Sequence, residues 1–138
     1  MNIDSIKNGV VIDHIKAGKS MEIYYQLELD KLDCTVAIIK NVHSKKMGLK
    51  DIIKIDSEMQ VDLDALGYID SDVTVNIIKD GILSEKKHLT LPTQIKDVLK
   101  CRNPRCITTT EQDLPHIFRL TDPATKTYRC IYCESKAK

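Results

Sequence analysis

Hydrophobic positions along the first 90 or so residues change period several times, and each change marks an element. "GVVIDHI" (residues 9–15) is a β-branched run that closes near Gly18, as a short strand does. "SMEIYYQLELDKL" (20–32) sets Ile23 and Leu27 four apart, the spacing of one helix face. "CTVAIIKNVH" (34–43) predicts a strand, "SKKMG" a turn and "LKDIIKID" (49–56) a second strand, so these form a hairpin. "SEMQVDLDALG" (57–67) predicts a helix with Ser57 as N-cap, Met59, Leu63 and Leu66 on its buried face, and Gly67 as its stop. "DVTVNIIKD" (72–80) returns to a strand, and Asp80-Gly81 turns it into "GILSEKKHLTL" (81–91), its hairpin partner.

The order is β-α-β-β-α-β plus one strand. It predicts an α+β fold, a ferredoxin-like split βαβ sandwich in which one antiparallel sheet carries two helices on a single face. The boundary falls near Pro92, giving residues 1–92 as an α+β domain and 93–138 as a second, small all-β domain, whose two close cysteine pairs, Cys101/Cys106 and Cys130/Cys133, make it zinc-ribbon-like.

Composition sets the class. The chain has 138 residues, 42% hydrophobic and 30% charged, with a formal charge of +1, as in an ordinary globular protein. No apolar run approaches the roughly 20 residues of a membrane-spanning helix. Asp4 and Lys7 stand where a secretory leader needs apolar residues, so the expected location is the cytoplasm.

Thiols stay reduced in that compartment, which turns attention to "KCRNPRCITTTEQDLPHIFRLTDPATKTYRCIYCE". Cys101 and Cys106 have four residues between them, and Cys130 and Cys133 have two. Two knuckles of this kind suit one tetrahedral metal with four thiolate ligands, and zinc fits soft sulfur best. A closed shell leaves no position for substrate water, so the expected ion is structural, one per chain. Cys34, in an apolar stretch, reads as a core residue.

The motifs "NGVVIDHI", "MGLKDIIKI", "VTVNII" and "LP", followed by the Cys-x4-Cys and Cys-x2-Cys pairs, run in order from about Ile3 to Glu134. In this combination the chain resembles the regulatory chain of aspartate carbamoyltransferase. The resemblance implies a non-catalytic allosteric subunit of pyrimidine biosynthesis, paired with a second regulatory chain as a homodimer and bound to a catalytic chain through its zinc domain. It places nucleotide effectors (CTP, UTP, ATP) at Ile6, Asp13, His14, Lys54, Asn76, Ile78 and Lys86, and the catalytic-chain interface at Asn103, Arg105 and Glu134.

The residue chemistry agrees in kind. Lys54 and Lys86 offer cations for phosphates, with His14 as helper, and Asp13 offers an acceptor for ribose hydroxyls. A regular strand sends Asp13 and His14 to opposite faces, so the strand must end there or one of the two must act through water. The sequence has no Gly-x-Gly-x-x-Gly or Gly-Lys-Ser/Thr loop, so phosphates would meet side chains rather than a backbone cradle.

Gly81 stands where many relatives carry an aromatic residue, leaving only backbone for the base there. Only Met1 and Asn2 precede the matched region, where longer relatives have an extension near a possible second nucleotide subsite, so that subsite is expected to be absent, and the end at "ESKAK" implies that any terminal helix is lost or cut short. The alternative reading is a zinc-ribbon module that binds nucleic acid or a protein through Arg102, Arg105, Lys126 and Arg129. A sequence pI near 7.6, no Trp and a single Phe, Phe118, argue against nucleic acid.

Overall fold

A computed structural model describes residues 6–137, so the expectations resting on Met1, Asn2, Ile3 and Asp4 lie outside the described residues. The chain divides into two units, Met1–Thr90 and Leu91–Lys138.

In the first unit the elements are β1 (Gly9–Lys16), α1 (Ser20–Gln26), a 3₁₀ turn (Leu29–Lys31), β2 (Val36–Ser44), β3 (Gly48–Ile55), α2 (Leu63–Ile69), β4 (Thr74–Lys79) and β5 (Ile82–His88). The strands form one antiparallel sheet in the order β2-β3-β1-β4-β5. Alternation decides its two faces. Val10, Ile12, Ile53, Ile55 and Val75 face the helices and pack on Ile23, Leu66 and Ile69, forming the core. The intervening residues, including Val11, Asp13, Lys54 and Asn76, belong to the other, helix-free face.

Three local expectations change. Ser57 does not cap α2: the cap is Asp62, whose carboxylate accepts the Ala65 N–H at 3.1 Å. Residues 57–62 are irregular, and Met59 and Val61 still pack against the core, so a helix-like apolar spacing arises without a helix. Gly67 does not stop α2 either. The helix runs to Ile69, whose burial against the core outweighs the roughly 1 kcal/mol that glycine costs in a helix. Cys34 precedes β2 rather than lying in it, although it still packs against the core.

Gly9 is required by close approach. A Cβ there would sit 2.2 Å from the Ile55 carbonyl oxygen and 2.7 Å from Ile6 Cγ2. The Gly81 N–H donates to the Lys7 carbonyl and the Asp80 N–H to Asn8 Oδ1, tying the start of the described chain to the β4–β5 turn.

The second unit holds β6 (Gln94–Lys96), α3 (Ile107–Thr110), β7 (Ile117–Asp122) and β8 (Thr127–Cys130), with the strands antiparallel in the order β6-β7-β8. The single turn of α3 is the only helix there among the described residues. Its core is Ile95, Phe118 and Tyr128 with the buried cysteines, and the Tyr128 hydroxyl donates to the Pro92 carbonyl. Among the described residues no helix is long and apolar enough to cross a membrane.

Candidate functional site

Folding of the second unit brings the four distant cysteines together. Cys101 lies within the loop between β6 and α3, Cys106 ends that loop just before α3, Cys130 closes β8 and Cys133 follows it by one turn. Their sulfurs all lie within 4.8 Å of one another, with Cys101 Sγ to Cys133 Sγ at 3.6 Å and Cys106 Sγ to Cys130 Sγ at 3.7 Å. Disulfides need about 2.05 Å. A tetrahedral metal with bonds of about 2.3 Å needs sulfurs about 3.8 Å apart. The donor set therefore fits a closed, four-thiolate metal centre.

Neighbouring groups hold the ligands in place. Thr108 Oγ1, buried, lies 3.1 Å from Cys106 Sγ. The Cys101 N–H donates to His116 Nδ1 at 3.2 Å, and the Cys130 N–H donates to the Ser135 carbonyl at 3.0 Å. Sequence reasoning missed Thr108, His116 and Ser135, which meet the cysteines only after folding. Burial pushes the Cys101 thiol up to about 12 and raises that of Cys130. Cys133 goes the other way, to about 6: burial raises it, but hydrogen bonds from Ser135 and Asn103 outweigh that. Metal binding must therefore displace tightly held protons from Cys101 and Cys130, whereas Cys133 gives up its proton readily.

The three residues expected at an interface sit around this centre. Asn103 serves the knuckles internally, accepting the Arg105 N–H on Oδ1 at 3.0 Å and donating from Nδ2 to Ser135 Oγ at 3.2 Å. Arg105 and Glu134 are exposed, Glu134 in a left-handed conformation (φ 63°) with its carbonyl accepting from Arg129.

On the first unit, strand register arranges the other candidates. Lys54 pairs with Val11, Val11 with Asn76, and Asn76 with Lys86, so Lys54, Asn76 and Lys86 share one row across the helix-free face. Two residues along, Gly9 pairs with Ile78, and Ile6 lies against Gly9, which puts both apolar candidates at one end of that face. At the other end Asp13 pairs with Thr74.

Here β1 is not regular. Asp13 and His14 bulge between the pairs Ile12–Ile53 and Ile15–Asp51, and His14 is left-handed at φ 61°. The expected conflict between adjacent strand residues is resolved by this bulge. Asp13 Oδ1 accepts the His14 N–H at 2.6 Å and meets Lys50 Nζ at 2.9 Å, while His14 Nδ1 lies 3.0 Å from Thr74 Oγ1. Burial raises the Asp13 carboxyl, but Lys50 and the His14 N–H together hold it below its ordinary value. Lys50 is a third cation on this face, visible only once the register of β3 is known.

On that face Asp13, Lys54, Asn76 and Ile78 are half-buried and Lys86 is exposed. A cavity of about 600 Å³ lined by Met59, Val61, Val75, Ile77 and Lys87 lies on the helix side of the sheet, away from these residues.

Comparison with known proteins follows the same division of the chain. A family model described as aspartate carbamoyltransferase regulatory chain, allosteric domain, matches residues 1–90. A second, the metal binding domain of the same chain, matches residues 93–138. The aspartate carbamoyltransferase regulatory chain of Clostridium acetobutylicum is 47% identical over 134 residues, covering 97% of this chain and 92% of its own length. That of Clostridium tetani is 47% identical over 135 residues (97% and 94%), and that of Bifidobacterium longum 41% identical over 138 residues (100% and 99%). With an allosteric domain in the sheet unit and a metal-binding domain around the four cysteines, the chain belongs to the family of aspartate carbamoyltransferase regulatory chains, which are regulatory and not catalytic.

Proposed function

We propose that this chain transmits nucleotide binding on its helix-free sheet face to the catalytic chain of aspartate carbamoyltransferase, which it grips through a zinc-ordered second domain. Residues 1–92 are the effector domain and 93–138 the zinc domain, and two copies pair as a homodimer in the cytoplasm. The observation that carries the reading is the row of Lys54, Asn76 and Lys86 across one face, with Asp13, His14 and Lys50 at one end and Ile6 and Ile78 at the other.

This arrangement suits an extended anion with a flat base, such as CTP, UTP or ATP. Lys54 and Lys86 stand three strand spacings apart, about 14 Å, so they meet different parts of one ligand unless their long side chains converge. The His14 ring, with Nδ1 engaged by Thr74, turns Nε2 to the phosphates. Asp13 accepts from ribose hydroxyls while Lys50 keeps it ionised. Asn76 reads a base or ribose edge, and Ile6 and Ile78 pack against the base.

Zinc is the metal best suited to four thiolates, and Cys101, Cys106, Cys130 and Cys133 hold it. Its chemistry there is structural: it fixes the two knuckles, so that exposed Arg105 and Glu134 and the turn shaped by Asn103 meet the catalytic chain. Co-purification tests the grip. The chain should elute with the catalytic chain as a complex, and chelation should separate the two. A complex that survives complete loss of metal would exclude zinc as the organiser of this contact.

A further inference from the structure

We propose that Asp51 is a positioning residue for the effector site, acting from the opposite side of the sheet by holding the irregular backbone on both flanks of β3. The inference rests on the nucleotide-site reading above and adds to it the element that shapes the site.

Asp51 faces the helix side and is completely buried, an uncommon place for a carboxylate. It sits between two bulges. On one flank β1 bulges at Asp13 and His14, between Ile12–Ile53 and Ile15–Asp51. On the other, β2 bulges at Lys40 and Asn41, between Ile39–Ile52 and Val42–Lys50. Both bulges contain a left-handed residue, His14 at φ 61° and Asn41 at φ 58°.

Bulges leave backbone donors without ladder partners, and a buried donor needs a replacement. Asp51 supplies it within the β2 bulge and, on the β1 side, holds the turn that follows the bulge. Oδ1 accepts the Asn41 N–H at 3.0 Å, and Oδ2 accepts the Gly18 N–H at 3.2 Å, in the turn that ends β1. Burial raises this carboxyl, but contacts with Ser20 and the Asn41 and Gly18 N–H groups leave it below its ordinary value, so it stays charged.

The consequence reaches the other face through the backbone. Lys50, the residue before Asp51, points to the helix-free face and pairs with Asp13, which accepts the His14 N–H. With the β2 bulge and the turn just beyond the β1 bulge held by one carboxylate, β3 and the end of β1 are fixed relative to each other, and Asp13, His14 and Lys50 keep a common geometry before any ligand arrives. Such pre-organisation is repaid as affinity, because less ordering remains to be done on binding.

Asp51→Asn keeps the shape but turns one acceptor into a donor that faces an N–H. The full-length chain carrying it should bind CTP and ATP about tenfold more weakly, with shifted NMR signals from the His14 ring. Ile53→Val, on the same strand, serves as a stability control that should lower the melting temperature without changing affinity. Lys54→Ala reports on the site itself, and if it binds like wild type the underlying site reading fails. If Lys54→Ala weakens binding while Asp51→Asn does not, or if Ile53→Val weakens it equally, the positioning role is overturned. Should Asp51→Asn not fold, hydrogen exchange in the unmodified chain decides: saturating CTP should slow the Gly18 and Asn41 amides more than that of Ile53. Equal slowing at all three contradicts the proposal.

Discussion

Removing the metal should unfold the second unit while the five-stranded sheet keeps its strands. The unit spans Leu91–Lys138, and its apolar core is little more than Ile95, Phe118 and Tyr128. A core this small does not sustain a fold without a staple. The free energy of structural zinc binding, roughly 10–16 kcal/mol in zinc-finger peptides, becomes folding free energy. Because β6 pairs with β7, which in turn pairs with the β8 strand ending in Cys130, the loss should spread back to Gln94 rather than stop at the first cysteine. Chelation, or Cys130→Ala, should therefore free the Phe118 and Tyr128 amides to exchange. Ile12 and Ile53, buried in the other unit, should stay protected. Metal analysis should fall from about one ion per chain to none. Retention of one metal per chain after Cys130→Ala would count against the four-cysteine centre.

Lys54→Ala combined with Lys86→Ala should nearly abolish nucleotide binding. Each substitution removes a charge-assisted contact of about 1.5–3 kcal/mol, so each alone should weaken binding about tenfold to over a hundredfold. The two side chains start from strands separated by β1 and β4, and changes that far apart usually add. The double variant should then lose roughly a hundredfold to ten-thousandfold. Both lysines lie on the helix-free face, outside the core, so the melting temperature should change little. Calorimetric titration of CTP, UTP and ATP checks this, and equal affinities across wild type and variants would remove the face as the site.

The order of elements along the first domain was legible because each strand announces itself locally, by β-branched runs set off by turns at Gly18, Gly48 or Asp80-Gly81. The cysteine pairs were legible for the same reason, since knuckle spacing is short. Features set by distant partners were not. Asp62 and Ser57 are both acceptable caps in sequence, and packing of the irregular Met59–Val61 stretch on the core decides between them. His14 and Asn41 are residue types that tolerate a left-handed backbone, but "DHI" and "KNV" do not show that either uses it, because the bulges are set by pairing with β3 and by the contact of Asp51 with Asn41. Lys50 reads as one lysine among many until register sets it against Asp13. His116 and Thr108 likewise acquire meaning only beside Cys101 and Cys106.

Communication between the nucleotide face and the catalytic chain is the centre of this account. A nucleotide can regulate only if it binds one quaternary state better than the other, and typical coupling amounts to about 1–3 kcal/mol. Linkage is reciprocal, so a bisubstrate analogue held by the catalytic chains must change nucleotide affinity by the same factor. The direct test is CTP and ATP affinity in the assembled complex, with and without that analogue. The affinity should shift about fivefold to 150-fold, and the shift should vanish when chelation releases the catalytic chain. An affinity unchanged by the analogue would leave a chain that binds nucleotide and holds the complex together, and would contradict allosteric control through these residues.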